Sequence, residues 1–262
     1  PSAMKTRSRS VQVTGRRVGL RSYLPIERRA DWRVLYLHGG GWCVGSWRTH
    51  DSLLRRLTAT LGCEVINIDY SLAPEFPFPC AIEDVRHAID RITADGIPWV
   101  LAGDSAGANL ALADSQSRRD GQLKLPEALV LFYGCFQPVR LAGSMQRWGG
   151  GDFGLSIAAL ERYARNYCPG PQEPAPGSAL RSALFPAEGK LHGLPRTLLI
   201  AAACDPLLDQ SIELDAAMRK TGADVELSII PGVIHGFLNY GRMLPEVDAS
   251  LAQVDNFLKR RG

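Results

Sequence analysis

Short apolar runs alternate with amphipathic stretches along most of this chain. Each apolar run ends at a glycine or a polar residue, which is typical of a strand buried on both faces. These runs lie at residues 32–37, 64–68, 99–102, 128–132, 197–202 and 225–230. Apolar residues at helical spacing predict helices at residues 49–60, 81–93, 108–118, 211–220 and 246–260. The repeated alternation predicts an α/β fold, a mostly parallel eight-stranded sheet with helices on both faces.

The beginning of the chain has a different pattern. Apolar and polar residues alternate over residues 10–14 and 17–24, which predicts a β-hairpin turning at Gly15. The tripeptide before Met4, residues 1–3, resembles the scar of an expression vector.

The segment 137–194 also breaks the alternation. It contains three consecutive glycines, a predicted amphipathic helix over residues 155–167 and a run rich in proline and glycine at residues 169–177. A connection of this length is too long for a plain loop between core strands. We expect one domain over residues 1–262, in which the insertion 137–194 lies over one end of the sheet as a lid.

Composition and charge narrow the classes of protein. Of the 262 residues, 45% are hydrophobic and 22% charged, which excludes a wholly disordered chain. The net charge of +3 conceals a basic start, but its arginines interleave with valines as the polar face of a hairpin would, so we expect no nucleic-acid partner. No apolar run reaches the ~18 residues of a membrane span, and no signal peptide is evident. We therefore expect a cytoplasmic protein.

The cysteines and histidines do not form the patterns of metal sites. Six cysteines are scattered without a CxxC pair, which favours buried thiols over disulfides. The five histidines do not stand at metal-ligand spacing from one another or from a cysteine pair. We predict no metal and no cofactor.

The first chemical motif is Gly-Asp-Ser-Ala-Gly at residues 103–107. It matches GxSxG, in which the serine occupies a strained turn between a strand and a helix. The bare pattern occurs by chance about 0.1 times in a chain of this length. Here a predicted strand precedes it and an alanine-rich helix follows, which is the context that the motif requires. Ser105 is the candidate nucleophile.

The second motif is His38-Gly39-Gly40-Gly41-Trp42, directly after an earlier strand. Consecutive glycines let backbone N–H groups approach a substrate closely. Two such groups, with the N–H of Ala106, would form an oxyanion hole. We interpret His38 as an organiser of this loop.

A nucleophilic serine needs a base, and the base needs an orienting carboxylate. Asp205 and His235 each follow a predicted strand, and the order Ser105, Asp205, His235 is the order of an α/β-hydrolase. Asp209 is the rival acid, although it lies one helical turn further from its strand. The remaining histidines, expected to be structural or exposed, are His50, His87 and His192.

Five motifs in order resemble the hormone-sensitive-lipase-like group of α/β-hydrolases, the bacterial family IV esterases. They are HGGGW at 38–42, DYSLAPE at 69–75, GDSAGANL at 103–110, DPLLD at 205–209 and HGF at 235–237. The resemblance implies Ser105 as nucleophile with Asp205 and His235 as its partners. It also implies oxyanion donors at Gly40, Gly41 and Ala106, with Gly39 shaping the loop of the oxyanion hole.

The chain departs from the family pattern at three places. Ser71 stands where arginine is usual and Gln210 where an acidic residue often follows, and we expect both to affect supporting contacts. Family members usually carry a helical cap before the hairpin, and almost nothing precedes Ser10 here. We therefore expect a reduced cap, in which the 137–194 insertion or a second subunit covers the pocket.

The predicted reaction is hydrolysis of short- to medium-chain acyl esters by a serine carboxylesterase, with a small-molecule ester and water as reactants. Candidate pocket walls are Trp42, Trp47, Phe153 and Phe237. An arylformamidase or a carbohydrate acetyl esterase would share the catalytic residues. A non-catalytic receptor is disfavoured because such receptors lack the histidine, and His235 is present. A homodimer through an edge strand is possible in this family.

Overall fold

A computed structural model describes residues 4–13, 15–170, 174–175 and 177–260. The proposed scar at residues 1–3, the end of the first predicted strand at Thr14, and residues 171–173 and 176 of the proline-rich run lie outside the described residues.

The described strands form one eight-stranded sheet. They are β1 (Lys5–Val13), β2 (Arg16–Leu24), β3 (Arg33–Leu37), β4 (Glu64–Asp69), β5 (Trp99–Asp104), β6 (Ala128–Phe132), β7 (Arg196–Cys204) and β8 (Val225–Ile234). Their order is β1-β2-β4-β3-β5-β6-β7-β8. Strand β2 is antiparallel to both of its neighbours, β1 and β4, and all the other neighbouring strands are parallel. The central strands β3, β5 and β6 are buried throughout, which explains their unbroken apolar runs.

Helices cover both faces of the sheet, as predicted. They are α1 (Trp47–Leu61), α2 (Cys80–Thr93), α3 (Ala106–Asp120), α4 (Gly143–Trp148), α5 (Ile157–Tyr167), α6 (Ala179–Leu184), α7 (Leu208–Lys220) and α8 (Pro245–Lys259). Apolar residues of α2, α3 and α7 share one core cluster, and those of α1 and α8 share another. No helix of the described ranges is long and apolar enough to cross a membrane.

The α1 helix shows how local sequence sets these elements. Ser46 and Thr49 form a capping box at its beginning, and Gly62 ends it with a left-handed φ of 62°. Its leucines at helical spacing are buried against the sheet.

The insertion contains α4, α5 and α6, and its start is fastened to α7. Asp209 Oδ2 accepts the N–H of Ser144 at 2.7 Å, and the Ser144 hydroxyl accepts the N–H of Asp209 at 3.1 Å. The side-chain oxygen of Gln210 accepts the N–H groups of Phe136 at 2.7 Å and Gln137 at 3.0 Å. Asp209 thus anchors α4, which explains why this carboxylate is not available to a catalytic histidine.

Ser71 and Gln210 are the two positions at which the motifs depart from the family pattern, and Ser71, like Gln210, lies in a supporting contact. Its N–H donates to Asp84 Oδ2 at 3.0 Å. The buried Asp84 also accepts a hydrogen bond at Oδ1 from the guanidinium of Arg16 on β2, at 2.9 Å, and forms a salt bridge with it.

Candidate active site

Ser105 occupies the turn between β5 and α3. Its backbone has φ 53° and ψ −118°, a conformation that costs about 1–3 kcal/mol for a residue with a side chain. The surrounding glycines are sterically required: a Cβ at Gly107 would lie 1.9 Å from the carbonyl oxygen of Leu37, and one at Gly103 would lie 2.6 Å from the Gly107 carbonyl. The GxSxG pattern therefore requires its two glycines because α3 packs closely against the strands.

The structure brings Ser105, His235 and Asp205 together. Ser105 Oγ lies 3.0 Å from His235 Nε2, and His235 Nδ1 lies 2.7 Å from Asp205 Oδ2. The second oxygen of the buried Asp205 accepts the N–H of Leu207 at 2.8 Å, which fixes the carboxylate. Burial of His235 lowers its pKa, but the charge and hydrogen bond of Asp205 outweigh this, so the pKa is raised above its usual 6.5.

The glycine loop after β3 faces the same point. Gly40 and Gly41 have positive φ values of 126° and 59°. Among the described residues, the N–H groups of Gly40, Gly41 and Ala106 have no acceptor, and all three residues line a cavity with Ser105. The N–H of Gly39 is different, because it donates to Asp104 Oδ1 at 2.9 Å. Gly39 therefore fastens the loop and does not belong among the free donors.

His38 lies behind this loop, as an organiser would. Its ring stacks on Tyr70 with centroids 4.4 Å apart, and its Nδ1 lies 2.9 Å from the Gly39 carbonyl oxygen. The Tyr70 hydroxyl donates to the carbonyl of His38 at 2.6 Å. Burial lowers the pKa of His38 to about 4, so the ring is neutral near pH 7.

His50 has a more specific place than the sequence indicated. Its buried Nε2 lies 3.1 Å from Asp104 Oδ1, the same oxygen that accepts the Gly39 N–H and the Tyr36 hydroxyl at 2.9 Å. Burial lowers the pKa of His50, but Asp104 raises it to a net value above normal. Position 50 precedes Leu53 by three residues on the buried face of α1, and this spacing is the signal that could have located it.

The cavity in front of Ser105 has a volume of about 290 Å³. The glycine loop, Ser105 and His235 form one side, and Leu155, Leu160 and Tyr163 of the insertion form the other. The ring of Tyr163 lies against Gly41, where an added Cβ would be 2.3 Å from it. The insertion thus contacts the glycine loop directly.

Only Trp42 of the four aromatic residues predicted as pocket walls borders this cavity, as the described residues define it. Its ring stacks on Tyr167 at 4.6 Å. The other three pack elsewhere, which corrects the prediction. Trp47 is flanked by the guanidinium groups of Arg21 and Arg48, Phe153 packs on Trp148, and the fully buried Phe237 packs on Tyr133. Sequence reasoning missed Leu155, Leu160 and Tyr163, whose signal was the amphipathic pattern around α5.

An α/β sheet that presents a serine on a strained turn, a histidine–aspartate pair and free N–H groups defines a serine hydrolase. Comparison with known proteins leads to the same class. A family model described as "alpha/beta hydrolase fold" matches residues 34–239.

Named relatives and solved structures give the same result. The ethyl acetate hydrolase of Pseudomonas putida is 33% identical, over 87% of this chain and 72% of its own length. The acetyl esterase of Salmonella typhi is 32% identical, over 99% and 81%. An esterase structure from Pyrobaculum calidifontis superimposes with a TM-score of 0.88 at 30% identity, covering 96% of this chain and 83% of that one. The chain therefore belongs to the hormone-sensitive-lipase-like family of α/β-hydrolases and is a carboxylesterase-type serine hydrolase.

Proposed function

We propose that this enzyme hydrolyses esters of short acyl groups through an acyl-enzyme on Ser105. The observation that carries the proposal is the chain of contacts from Asp205 through His235 to Ser105 Oγ, which ends in a cavity that free N–H groups also face. These are the parts that acyl transfer to water requires.

The first step is attack of Ser105 Oγ on the ester carbonyl. His235 accepts the serine proton at Nε2 and then gives it to the leaving alcohol oxygen. Asp205 holds the imidazole in the tautomer with hydrogen on Nδ1 and stabilises the imidazolium. In the second step His235 activates a water molecule, which attacks the acyl carbon and releases the acid and Ser105.

The oxyanion of both tetrahedral intermediates is stabilised by the N–H groups of Gly40, Gly41 and Ala106. Ala106 is the first residue of α3, so the positive end of the helix dipole adds to the same effect. Each such donor contributes a factor of about 10²–10³ to kcat in serine hydrolases.

Two observations support a preference for short acyl groups. The 290 Å³ cavity is at the lower end of the roughly 300–1,000 Å³ of small-molecule sites. The relatives are named for acetyl esters and ethyl acetate. A carbohydrate acetyl esterase is the second candidate because it would use the same acyl group. No feature of the cavity favours the formamide of an arylformamidase.

The insertion 137–194 is proposed as the lid of one domain, because Leu155, Leu160 and Tyr163 face Ser105 across the cavity. The homodimer and the cytoplasmic location remain predictions from the sequence.

The experiment is a series of p-nitrophenyl esters from acetate to laurate, an acetylated sugar and N-formylkynurenine, with Ser105→Ala beside the natural chain. We expect the highest kcat/KM for the shorter esters, and a loss of about 10⁶ in kcat in Ser105→Ala. Near-normal turnover in Ser105→Ala would contradict the assignment of the nucleophile. Activity confined to the formamide would contradict the esterase proposal.

A further inference from the structure

The part of the active-site cavity next to the catalytic histidine is more polar than the part under the insertion. Its border includes Thr49 and His50 at the beginning of α1, and Gly236 and Asn239 directly after β8. The two segments meet because the short helix after β8 packs against α1. The insertion, in contrast, borders the cavity with two leucines and a tyrosine.

A short 3-10 helix, Phe237–Tyr240, determines which side chain of this segment reaches the cavity. Because such a helix has three residues per turn, residues three positions apart lie on one face. The N–H of Asn239 donates to the carbonyl of Gly236 at 3.1 Å, one turn earlier, and both residues border the cavity. Phe237 and Leu238 are buried and hold the other faces of the helix. Asn239 therefore stays exposed on the face that the cavity shares.

Asn239 differs from the other polar side chains on this part of the border because its amide has no partner among the described residues. The Thr49 hydroxyl donates to the carbonyl of Ser46 at 2.8 Å and lies 2.8 Å from His50 Nδ1. The other ring nitrogen of His50 lies 3.1 Å from Asp104. These atoms are engaged within the protein, whereas the amide offers two N–H donors and an acceptor oxygen to a ligand.

The position of Asn239 indicates which part of an ester it would meet. His235 must protonate the oxygen of the leaving alcohol, so the alcohol lies on the His235 side of the site. A Cβ at Gly236 would meet no atom within 4 Å, so there is room for the alcohol to extend past this residue towards Asn239. The amide therefore faces the alcohol portion of the ester.

We propose that Asn239 is a specificity-determining residue that favours esters of hydroxylated alcohols, by hydrogen bonding to a hydroxyl group near the ester oxygen. Polyols and sugars share this chemistry. The inference rests on the proposed esterase function and adds to it the class of the alcohol. A hydroxyl group can accept an N–H of the amide or donate to its oxygen, whereas an alkyl group can do neither. One such hydrogen bond favours the hydroxylated ester by about two- to tenfold.

The test compares acetates whose alcohols have the same shape. In 2-methylbutyl acetate, methyl groups replace the two free hydroxyls of glycerol 1-acetate, and cyclohexylmethyl acetate stands in the same relation to glucose 6-acetate. Titration of the released acetic acid gives kcat/KM for each ester. Asn239→Leu should lower the ratio of kcat/KM for the hydroxylated ester to that for its alkyl counterpart by about two- to tenfold.

Two further variants identify the cause of that change. Asn239→Ala removes the amide without adding the apolar surface of leucine, and should lower the ratio in the same direction. Asn256→Leu is the matched control, because Asn256 is exposed on α8 and does not border the cavity. It should leave both ratios unchanged.

The two pairs of esters distinguish the sources of the hydroxyl group. A lower ratio for the glycerol pair supports recognition of polyols, and a lower ratio for the glucose pair supports recognition of sugars. Ratios that Asn239→Ala leaves unchanged for both pairs overturn the role of Asn239, and leave the esterase function intact if the natural chain hydrolyses the acetates. Absence of Ser105-dependent release of acetic acid from all four esters would instead overturn the proposed function and this inference together.

Discussion

The two sides of the active-site cavity are built in different ways. On the sheet side, backbone contacts leave almost no freedom: a Cβ at Gly107 would collide with Leu37, and Gly39 is tied to Asp104. On the insertion side, Leu155 and Leu160 border the site with their apolar side chains. The difference indicates that the sheet side determines whether acyl transfer occurs, whereas the insertion side determines which acyl group fits.

The largest expected effect, which tests this division between the sheet side and the insertion side, concerns the two candidate acids. Asp205→Asn should lower kcat about 10⁴-fold, because the asparagine no longer holds His235 in the required tautomer. Asp209→Asn removes a carboxylate that anchors α4 and should change kcat less than tenfold. Steady-state kinetics with p-nitrophenyl acetate measures both. An Asp209→Asn loss equal to that of Asp205→Asn would show that the insertion takes part in the chemistry.

The pH profile sharpens the same prediction. His235 must be neutral to accept a proton, so kcat/KM rises with pH through its pKa, which Asp205 holds above 6.5 despite the opposing effect of burial. Removing the charge in Asp205→Asn lowers this pKa. The acid limb of the residual activity should therefore move to lower pH, and an unmoved limb would exclude His235 as the titrating base.

The next largest effect is expected where the two sides meet. Gly41→Ala places a methyl group at φ 59° and against the ring of Tyr163, so the loop must shift and the oxyanion donors with it. We expect kcat to fall about 10²–10³-fold with the fold retained, measured by kinetics and circular dichroism. Gly150→Ala is the control, because a Cβ there meets no atom within 4 Å.

The double variant Gly41→Ala, Tyr163→Ala separates the two causes. It removes the ring but keeps the positive φ. Substantial recovery of kcat would show that the loss arises from the clash with Tyr163 of the insertion. No recovery of kcat would show that it arises from the backbone of the loop.

A smaller effect, on stability, is expected behind the glycine loop. His50→Gln loses the charge that faces buried Asp104 but keeps an N–H donor, and should lower the free energy of unfolding by about 1–3 kcal/mol. The raised pKa of His50 makes its contribution complete below its usual 6.5 and lost as pH rises through the raised value. Burial raises the pKa of Asp104, but His50, Tyr36 and Gly39 lower it to a net value below the usual 3.8, so that contribution is lost only in stronger acid.

The pair therefore stabilises the fold most between about pH 3.8 and 6.5. Urea unfolding of both chains across pH 4–9 measures the difference. It should shrink as pH rises above 6.5, and a difference independent of pH would mean that His50 acts by packing alone.

The sheet side was readable from the sequence because its constraints are local. Three glycines after a strand and GxSxG before a helix specify backbone geometry within a few residues, and Asp205 and His235 each follow a strand directly. The family resemblance added the roles of Gly40 and Gly41. The fold followed for a related reason, since buried parallel strands require continuous apolar runs.

The insertion side was not readable in the same way. Its pattern predicted a helix near residues 155–167, but which residues of that region reach Ser105 depends on how α4 and α5 pack across the molecule. Aromatic size was a poor guide to the residues that line the cavity. Phe237 lies two residues after His235 and is nonetheless fully buried against Tyr133. The use of Asp209 to anchor α4 is likewise a long-range contact without a local pattern.

The smallest predicted effect tests the placement of Phe153 outside the cavity. Phe153→Leu alters a ring that packs on Trp148 outside the cavity, so KM for p-nitrophenyl butyrate should stay within about twofold of the natural value. Leu155→Ala, two residues further on, removes a side chain that lines the cavity and should raise KM several-fold with a smaller change in kcat, because it removes binding that substrate and transition state share. A Phe153→Leu effect as large as that of Leu155→Ala would place Phe153 in the substrate path, and the insertion would then approach Ser105 more closely during turnover than it does in this structure.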